Sequence, residues 1–393
     1  MPFLLPRSLT QAERSAFVLA FGPLSALEVS TVLHGAISEA ELTTPRVLVA
    51  RTGVNAASLV QRLAGIHKFA PVMAASSDGK SDIASMVSRI ALEIDEPANI
   101  SVSSYGVEDD DYEPLVREIL DAFRDGGFTR VNLLRPDQNE LRAEKVASRR
   151  SLDIIAFPRG GGISLGPTAY VPDAESLRRR GTARPAPHSE IALSPRLARA
   201  LVNLAGLSAG ETLLDPFCGS GTIAVEALLM ALRPVCVDTN RALLGEAKTN
   251  LAWAAREAMR SSFKIKAGDA RELPAVLGER RVDAVVTEPI LLPRLKSRPS
   301  TTAAKELVDK AGSVYSDALA SMARVVRPGG RIVVVAPVIR TSEGQEVALG
   351  LDGSPLGLKY FQPGGGQVRY PVRVAFESTR WVGRIVYVFE SRN

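Results

Sequence analysis

The sequence predicts an α/β chain in which smaller α+β units precede a doubly wound parallel sheet over residues 190–393. Three observations carry this reading. From Thr212 onward, strand-like runs alternate with helical patterns, the grammar of a parallel sheet. One strand, Leu213-Leu214-Asp215, enters a glycine-rich turn, Pro216-Phe217-Cys218-Gly219-Ser220-Gly221-Thr222, and then the apolar helix IAVEALLMA. Residues 17–172 mix short β-rich runs with helical ones, as small α+β units do.

In chain order, FVLAFG, SALEVSTVLHG, TPRVLVART and NAASLVQRLAGIHKFA read as a β-α-β-α beginning. ISVSSYG, the helical YEPLVREILDAFRDGGF, TRVNLLRP and LDIIAFPRGGGISLGPTAYVP form a second group. The acidic run from Glu108 to Glu113 reads as the solvated entry to that helix. Residues 173–189, rich in Arg and Pro and without apolar periodicity, read as a linker. Beyond it PRLARALVNLAGL is an amphipathic helix, and TLLDPF, RPVCVD, FKIKAGD, VDAVVTEP and GGRIVVVAPV are successive strands. The tail, WVGRIVYVFES, closes the sheet as an antiparallel strand.

The chain has 393 residues, 46% hydrophobic and 23% charged, which excludes disordered, collagen-like and coiled-coil classes. Two cysteines exclude a disulfide scaffold and a cysteine-rich zinc site, and no metal is expected. No apolar run is long enough for a membrane span, and the N-terminus lacks a secretory signal, so a soluble cytoplasmic protein is expected. Residues 1–189 hold 21 Lys/Arg and 23 Asp/Glu, whereas residues 190–393 hold 27 and 20. Any acidic partner leans on the second half.

The chemistry concentrates where strands end. The turn from Asp215 to Thr222 forms a nucleotide pocket at the carboxyl edge of a sheet, with glycines that let backbone approach a ligand. Gly219-x-Gly221-x-x-Ala224 satisfies a loose dinucleotide fingerprint, so an NAD(P) oxidoreductase is one alternative. Against it, Asp215 repels a pyrophosphate but suits a cationic amino group such as that of S-adenosylmethionine. Asp238 ends the next strand, where an acid holds ribose hydroxyls, and Asp269, before Ala270, is placed to accept an adenine amino group. Glu288-Pro289 ends the fourth strand.

On these residues the chain resembles class I S-adenosylmethionine methyltransferases, and more closely the THUMP-domain RNA methyltransferases that modify guanosine N2 in tRNA. The resemblance rests on ARPAPHSEIALSPRLARALVNLAGL, LLDPFCGSGTIAVEAL, Asp238 and AGDARELP. It is greatest toward archaeal-type enzymes acting at tRNA position ten. It implies a ferredoxin-like domain over 1–80, a THUMP-like RNA-binding domain over 81–172, and a Rossmann-like catalytic domain over 190–393. It further implies that Asp215, Phe217, Gly219, Gly221 and Thr222 wrap the methionine moiety, Asp238 the ribose, and Asp269 with Ala270 the adenine. A monomer is expected.

One departure stands out. The family has Asp or Asn, then Pro-Pro and an aromatic, where this chain has Glu288-Pro289-Ile290-Leu291. Glu288 still offers an oxygen and Pro289 a carbonyl to orient the target amine, but no ring follows to stack the base. Tyr315 and Phe361 are candidate substitutes. Arg294, Lys296 and Arg298 beside the pocket, and Arg180 and Arg184 of the linker, are candidate phosphate contacts. The expected activity is methyl transfer to guanosine N2 of tRNA. The alternatives are an RNA-binding protein on a retired methyltransferase fold and a methyltransferase with another nucleic-acid substrate.

Overall fold

The computed structural model describes residues 13–53, 59–73, 82–92, 99–128, 132–136, 140, 151–186, 193–258, 262–289, 292, 295, 297–363, 370–374 and 381–392. Of these, the residues up to Ser176 form one compact unit and those from Leu177 form a second.

The first unit opens with β1 (Arg14–Leu19), α1 (Pro23–Val32), β2 (Ile37–Thr44), β3 (Val47–Thr52) and β4 (Ile66–Pro71). These strands pair in the order β2-β3-β1-β4, all antiparallel. Next come α2 (Ile83–Ala91), β5 (Asn99–Ser104), α3 (Asp109–Asp125), β6 (Ser151–Arg159) and β7 (Gly162–Pro167), with β5-β6-β7 as a second sheet. The acidic run starts α3, where Asp109, Asp110 and Asp111 face the positive end of the helix dipole.

The two sheets share a core: Ala16, Val18, Val47, Val49 and Ala70 pack with Tyr105, Ile155 and Phe157. The boundary read at residue 80 therefore divides elements that bury their apolar faces against each other. Within the unit the ion pair Lys68–Asp153 is fully enclosed, Nζ to Oδ2 at 2.8 Å, with 0% side-chain exposure of either partner. Ser101, Ser103 and Thr168 donate their hydroxyls to the same carboxylate.

The segment read as a linker begins instead as a helix, α4 (Ala174–Thr182). After it come α5 (Pro195–Leu204), β8 (Thr212–Asp215), α6 (Thr222–Leu229), β9 (Arg233–Asp238), α7 (Arg241–Glu257), β10 (Lys264–Ala267), α8 (Leu273–Leu277), β11 (Val282–Thr287) and α9 (Thr301–Val325). The remaining strands are β12 (Val326–Arg340), β13 (Glu346–Ala348), β14 (Leu358–Tyr360), β15 (Val372–Val374) and β16 (Val382–Ser391). Side chains cap the principal helices: Ser194 accepts from Leu197 N–H, Asn240 from Ala242 and Leu243 N–H, and Ser300 from Ala303 N–H.

The nine-stranded sheet runs β10-β9-β8-β11-β12-β16-β14, with β13 on β12 and β15 on β16. β8 to β12 are parallel and β16 returns antiparallel to β12. Strand order reverses between β8 and β11, which opens a crevice at their carboxyl ends. Apolar layers cover both faces: Leu273, Ala304, Leu319 and Met322 on Leu214 and Val285, and Ala224, Leu228, Leu244 and Leu251 around Cys236. Cys218 of the glycine turn is disulfide-bonded to Cys236 of β9.

Candidate functional site

The crevice is built from the ends of β8, β9, β10 and β11. Asp215 closes β8 almost wholly buried. Its Oδ1 accepts hydrogen bonds from Thr287 Oγ1 at 2.8 Å and Phe217 N–H at 3.2 Å. Oδ2 meets no protein donor among the described residues. Burial pushes the carboxyl up to about 7, the two hydrogen bonds oppose the shift, and the nearby Asp238 and Glu288 carboxylates add to it. A cationic group on Oδ2 is what this acid lacks.

The turn that follows is shaped by its glycines. Gly219 has φ +52° and Gly221 +88°, and a Cβ on Gly221 would stand 3.2 Å from Ala247 Cβ. The turn is fastened to β9 by Asp238, whose Oδ2 accepts Gly219 N–H and whose Oδ1 accepts Asn240 N–H, both at 2.8 Å. Phe217 packs half-buried against the core beside it, and Thr222 begins α6.

Other expected site residues are placed differently. Asp269 stands at the end of β10, but Arg271 holds both its oxygens, with Nη2 to Oδ2 at 2.6 Å, and keeps its carboxyl below the usual range. Ala270 is buried in the core and presents no side chain to a ligand. Glu288 follows β11 and is largely buried, with Oε1 accepting from Arg384 Nε at 2.6 Å. Pro289 follows it. Arg294 and Lys296 lie outside the described residues.

Both expected substitute rings have protein partners of their own. Tyr315 is buried, its hydroxyl donating to Val335 O, and the Arg331 guanidinium sits 3.5 Å from the Phe361 ring centroid. Trp381 stands half-buried just before β16, with the Arg298 guanidinium 4.5 Å from its ring centroid. Sequence reasoning passed over both Trp381 and Arg384. The signal was an antiparallel last strand, which returns its first residues to the edge where the parallel strands end.

Arg180 and Arg184 point inward rather than toward RNA. Arg180 Nε binds Glu226 Oε1 at 2.7 Å, and Arg184, 7% exposed, donates to Thr222 Oγ1 at 3.0 Å. The helix α4 that replaces the expected linker delivers Arg180 to that carboxylate.

Residues 183–343 match the family described as "RMKL-like, methyltransferase domain". A tRNA (guanine(10)-N2)-dimethyltransferase of Methanothermobacter thermautotrophicus is 34% identical over 145 residues, 37% of this chain and 38% of the relative. One of the same name from Pyrococcus abyssi is 32% identical over 165 residues, 42% of this chain and 43% of the relative. The matched segments thus span about two fifths of the length of these curated relatives. The structure of TrmN from Thermus thermophilus is similar with a TM-score of 0.53 at 21% identity, over 96% of this chain and 99% of that one, a likeness of fold. Strand order and acid-edged crevice give the second unit a Rossmann-like fold, and over residues 183–343 it is similar to methyltransferase domains.

The raised Asp215 carboxyl has a measurable consequence. Below about 7 the folded protein holds it protonated, so a cationic amino group binds only after a proton leaves. Affinity for S-adenosylmethionine is expected to rise about tenfold from pH 5.5 to 7 and then level off. Calorimetry on the wild type and Asp215→Asn checks this, since the variant loses the dependence. A flat wild-type profile would remove Asp215 from the role.

Proposed function

We propose that this chain transfers a methyl group from S-adenosylmethionine to the exocyclic N2 amine of a guanosine in tRNA, as a cytoplasmic monomer. The observation that carries the reading is the buried, cation-seeking Asp215 at the start of a glycine turn that Asp238 holds to β9. Such a crevice suits a cationic amino acid joined to a nucleoside and repels pyrophosphate. The tRNA and the guanine amine come from the relatives' names and from the Glu288-Pro289 pair at the strand end.

The cofactor supplies an electrophilic methyl group on a sulfonium. Glu288 and the Pro289 carbonyl accept the hydrogens of the amine, which turns its lone pair toward that methyl. Arg384 holds the Glu288 carboxylate in place. The amine gives its proton to water after the N–C bond has formed and the S–C bond has broken, so no strong base is required. The N-terminal unit serves as the tRNA-gripping part, in line with the THUMP resemblance.

We assign the stacking that Ile290 and Leu291 do not supply to Trp381, through the ring face that the Arg298 guanidinium leaves open. Base–aromatic stacking is worth about 1–3 kcal/mol. Trp381→Ala is expected to weaken tRNA binding about tenfold or more in filter binding while S-adenosylmethionine affinity stays unchanged. An unaltered tRNA affinity would exclude the ring from the substrate surface.

The overall test is transfer of tritium from labelled cofactor to tRNA, followed by nucleoside analysis for N2-methylated guanosine. Tight cofactor binding without label in any tRNA pool would overturn the enzymatic reading. A second reading, a tRNA-binding protein on a methyltransferase fold that no longer transfers methyl, is favoured by one observation, the engagement of Glu288 by Arg384. It requires tRNA binding that survives Asp215→Ala.

A further inference from the structure

The two cysteines of this chain lie 18 residues apart, Cys218 inside the glycine turn after β8 and Cys236 on β9, and the fold joins them in a disulfide. Their Cα atoms are 5.3 Å apart, within the span such a bridge needs. Cys218 is 5% exposed and Cys236 0%, both in the apolar layer of Ala224, Leu228, Leu244 and Leu251. A small apolar side chain fills such a place as well as a sulfur does, so packing by itself does not call for the pair.

The bridge fastens a part of the fold that hydrogen bonds already hold. Cys218 N–H donates to Val237 O at 3.1 Å, and Gly219 N–H donates to Asp238 Oδ2 at 2.8 Å. All three ties join the turn to the end of β9, and the acids of the crevice flank them, Asp215 just before Cys218 and Asp238 just after Cys236. Of the three, only the disulfide is made and broken by electron transfer. Two thiols do not sit at bonding distance, so reduction parts the turn from the strand at this point.

In a reducing cytoplasm, where this chain is proposed to act, a disulfide is transient and serves catalysis or redox sensing. The sequence holds no third cysteine, so the pair has no further thiol to which it could relay electrons, and sensing is the role left. Burial means that reduction follows a local opening of the turn, and a ligand seated on the turn opposes that opening.

We propose that Cys218 and Cys236 form a thiol–disulfide switch: bridged, they hold the glycine turn in its ligand-binding form, and reduced, they loosen it and weaken the crevice. The reductant is a dithiol. One of its thiolates attacks Cys218 Sγ, the more exposed sulfur, the protein S–S bond breaks, and Cys236 leaves as a thiolate and takes up a proton. The second thiolate of the reductant then attacks the mixed disulfide, Cys218 leaves and is protonated, and the reductant departs as a disulfide. Two electrons and two protons thus pass from the dithiol to the cysteines, and a small-molecule disulfide reverses the exchange. The ligand is that of the cofactor reading above, on which the affinity part of the proposal rests.

The test compares the full chain equilibrated with oxidised glutathione, the same protein reduced with dithiothreitol, and Cys236→Ala, which forms no bridge; Cys218→Ser replaces the last if it does not fold. Thiol titration counts the bridge, hydrogen exchange reads the backbone amides of residues 217–222 without ligand, and calorimetry reads S-adenosylmethionine affinity. Reduction is expected to speed exchange of the turn amides about tenfold, while the strands of the sheet keep their protection. Affinity is expected to fall about tenfold as the turn loses its preorganised form, and Cys236→Ala matches the reduced protein under both conditions. By linkage, saturating S-adenosylmethionine then makes the bridge about tenfold harder to reduce, a shift of about 30 mV. Two thiols that stay free in oxidised glutathione would overturn the proposal, as would turn exchange and affinity that ignore the redox state. Exchange that rises equally through the whole sheet would make the bridge a general brace and overturn it too. Faster turn exchange on reduction, with no S-adenosylmethionine bound in either state, would uphold the switch and overturn the cofactor reading instead.

Discussion

Asp153→Ala is expected to destabilise the N-terminal unit by about 3–5 kcal/mol, the cost of leaving a buried charge without its partner. Lys68 is fully enclosed, and Asp153 and Ser103 are its hydrogen-bond acceptors. Removal of the carboxylate also strands the hydroxyls of Ser101 and Thr168, which donate to it. The pair joins β4 to β6 and so stitches the two sheets of the unit. Replacing both partners with apolar residues, Lys68→Met with Asp153→Leu, is expected to recover most of the loss, because neither charge then needs solvation. Urea unfolding of the single and double variants measures this. A single-variant cost below about 1 kcal/mol, the range of an exposed pair, would contradict the enclosure.

Glu288→Ala is expected to lower the rate of methyl transfer about 10²- to 10³-fold, the range for deleting one preorganised polar contact to a reacting group, with cofactor affinity unchanged. The carboxylate is held by Arg384 at 2.6 Å at the end of β11, so its oxygen is positioned before substrate arrives. Glu288→Gln keeps an oxygen at the same reach and is expected to retain part of the rate. Single-turnover transfer of tritium to tRNA with saturating cofactor separates this loss from binding. A loss of less than about threefold would show that the amine is oriented by other groups.

Local chemistry made much of the crevice legible. Asp215, Gly219, Gly221 and Asp238 are specified by neighbours within the same strand–turn–helix: an acid where a strand stops, and glycines where the backbone turns left-handed. Four acids at four successive strand ends also stood out without coordinates, because parallel strands bring all their carboxyl ends to one edge. Asp269 and Ala270 were read by the same rule. Arg271 occupies the carboxylate of the first, and the core covers the second.

What stayed hidden depends on residues far apart in the chain. The 173–189 stretch reads as a solvated linker by composition, yet Glu226, buried on α6, draws Arg180 inward, and Asn250 on α7 moors the segment after Arg184. A charge run has no periodicity that distinguishes exposure to water from the approach of a distant carboxylate. The missing aromatic was sought beside Pro289 because linear spacing points there. Trp381 and Arg384 lie toward the carboxyl ends of the parallel strands only because β16 pairs antiparallel with β12.

The sequence by itself determined the α/β class, the carboxyl-edge crevice and the acids and glycines of the turn after β8, since these follow from residue order along single strands and turns. Tertiary structure alone decided that Arg184 is buried against Thr222, that Glu288 is held by Arg384, and that Lys68 and Asp153 stitch two sheets. Each of those rests on burial, and a charge becomes costly to leave unpaired only when the rest of the chain has removed its water.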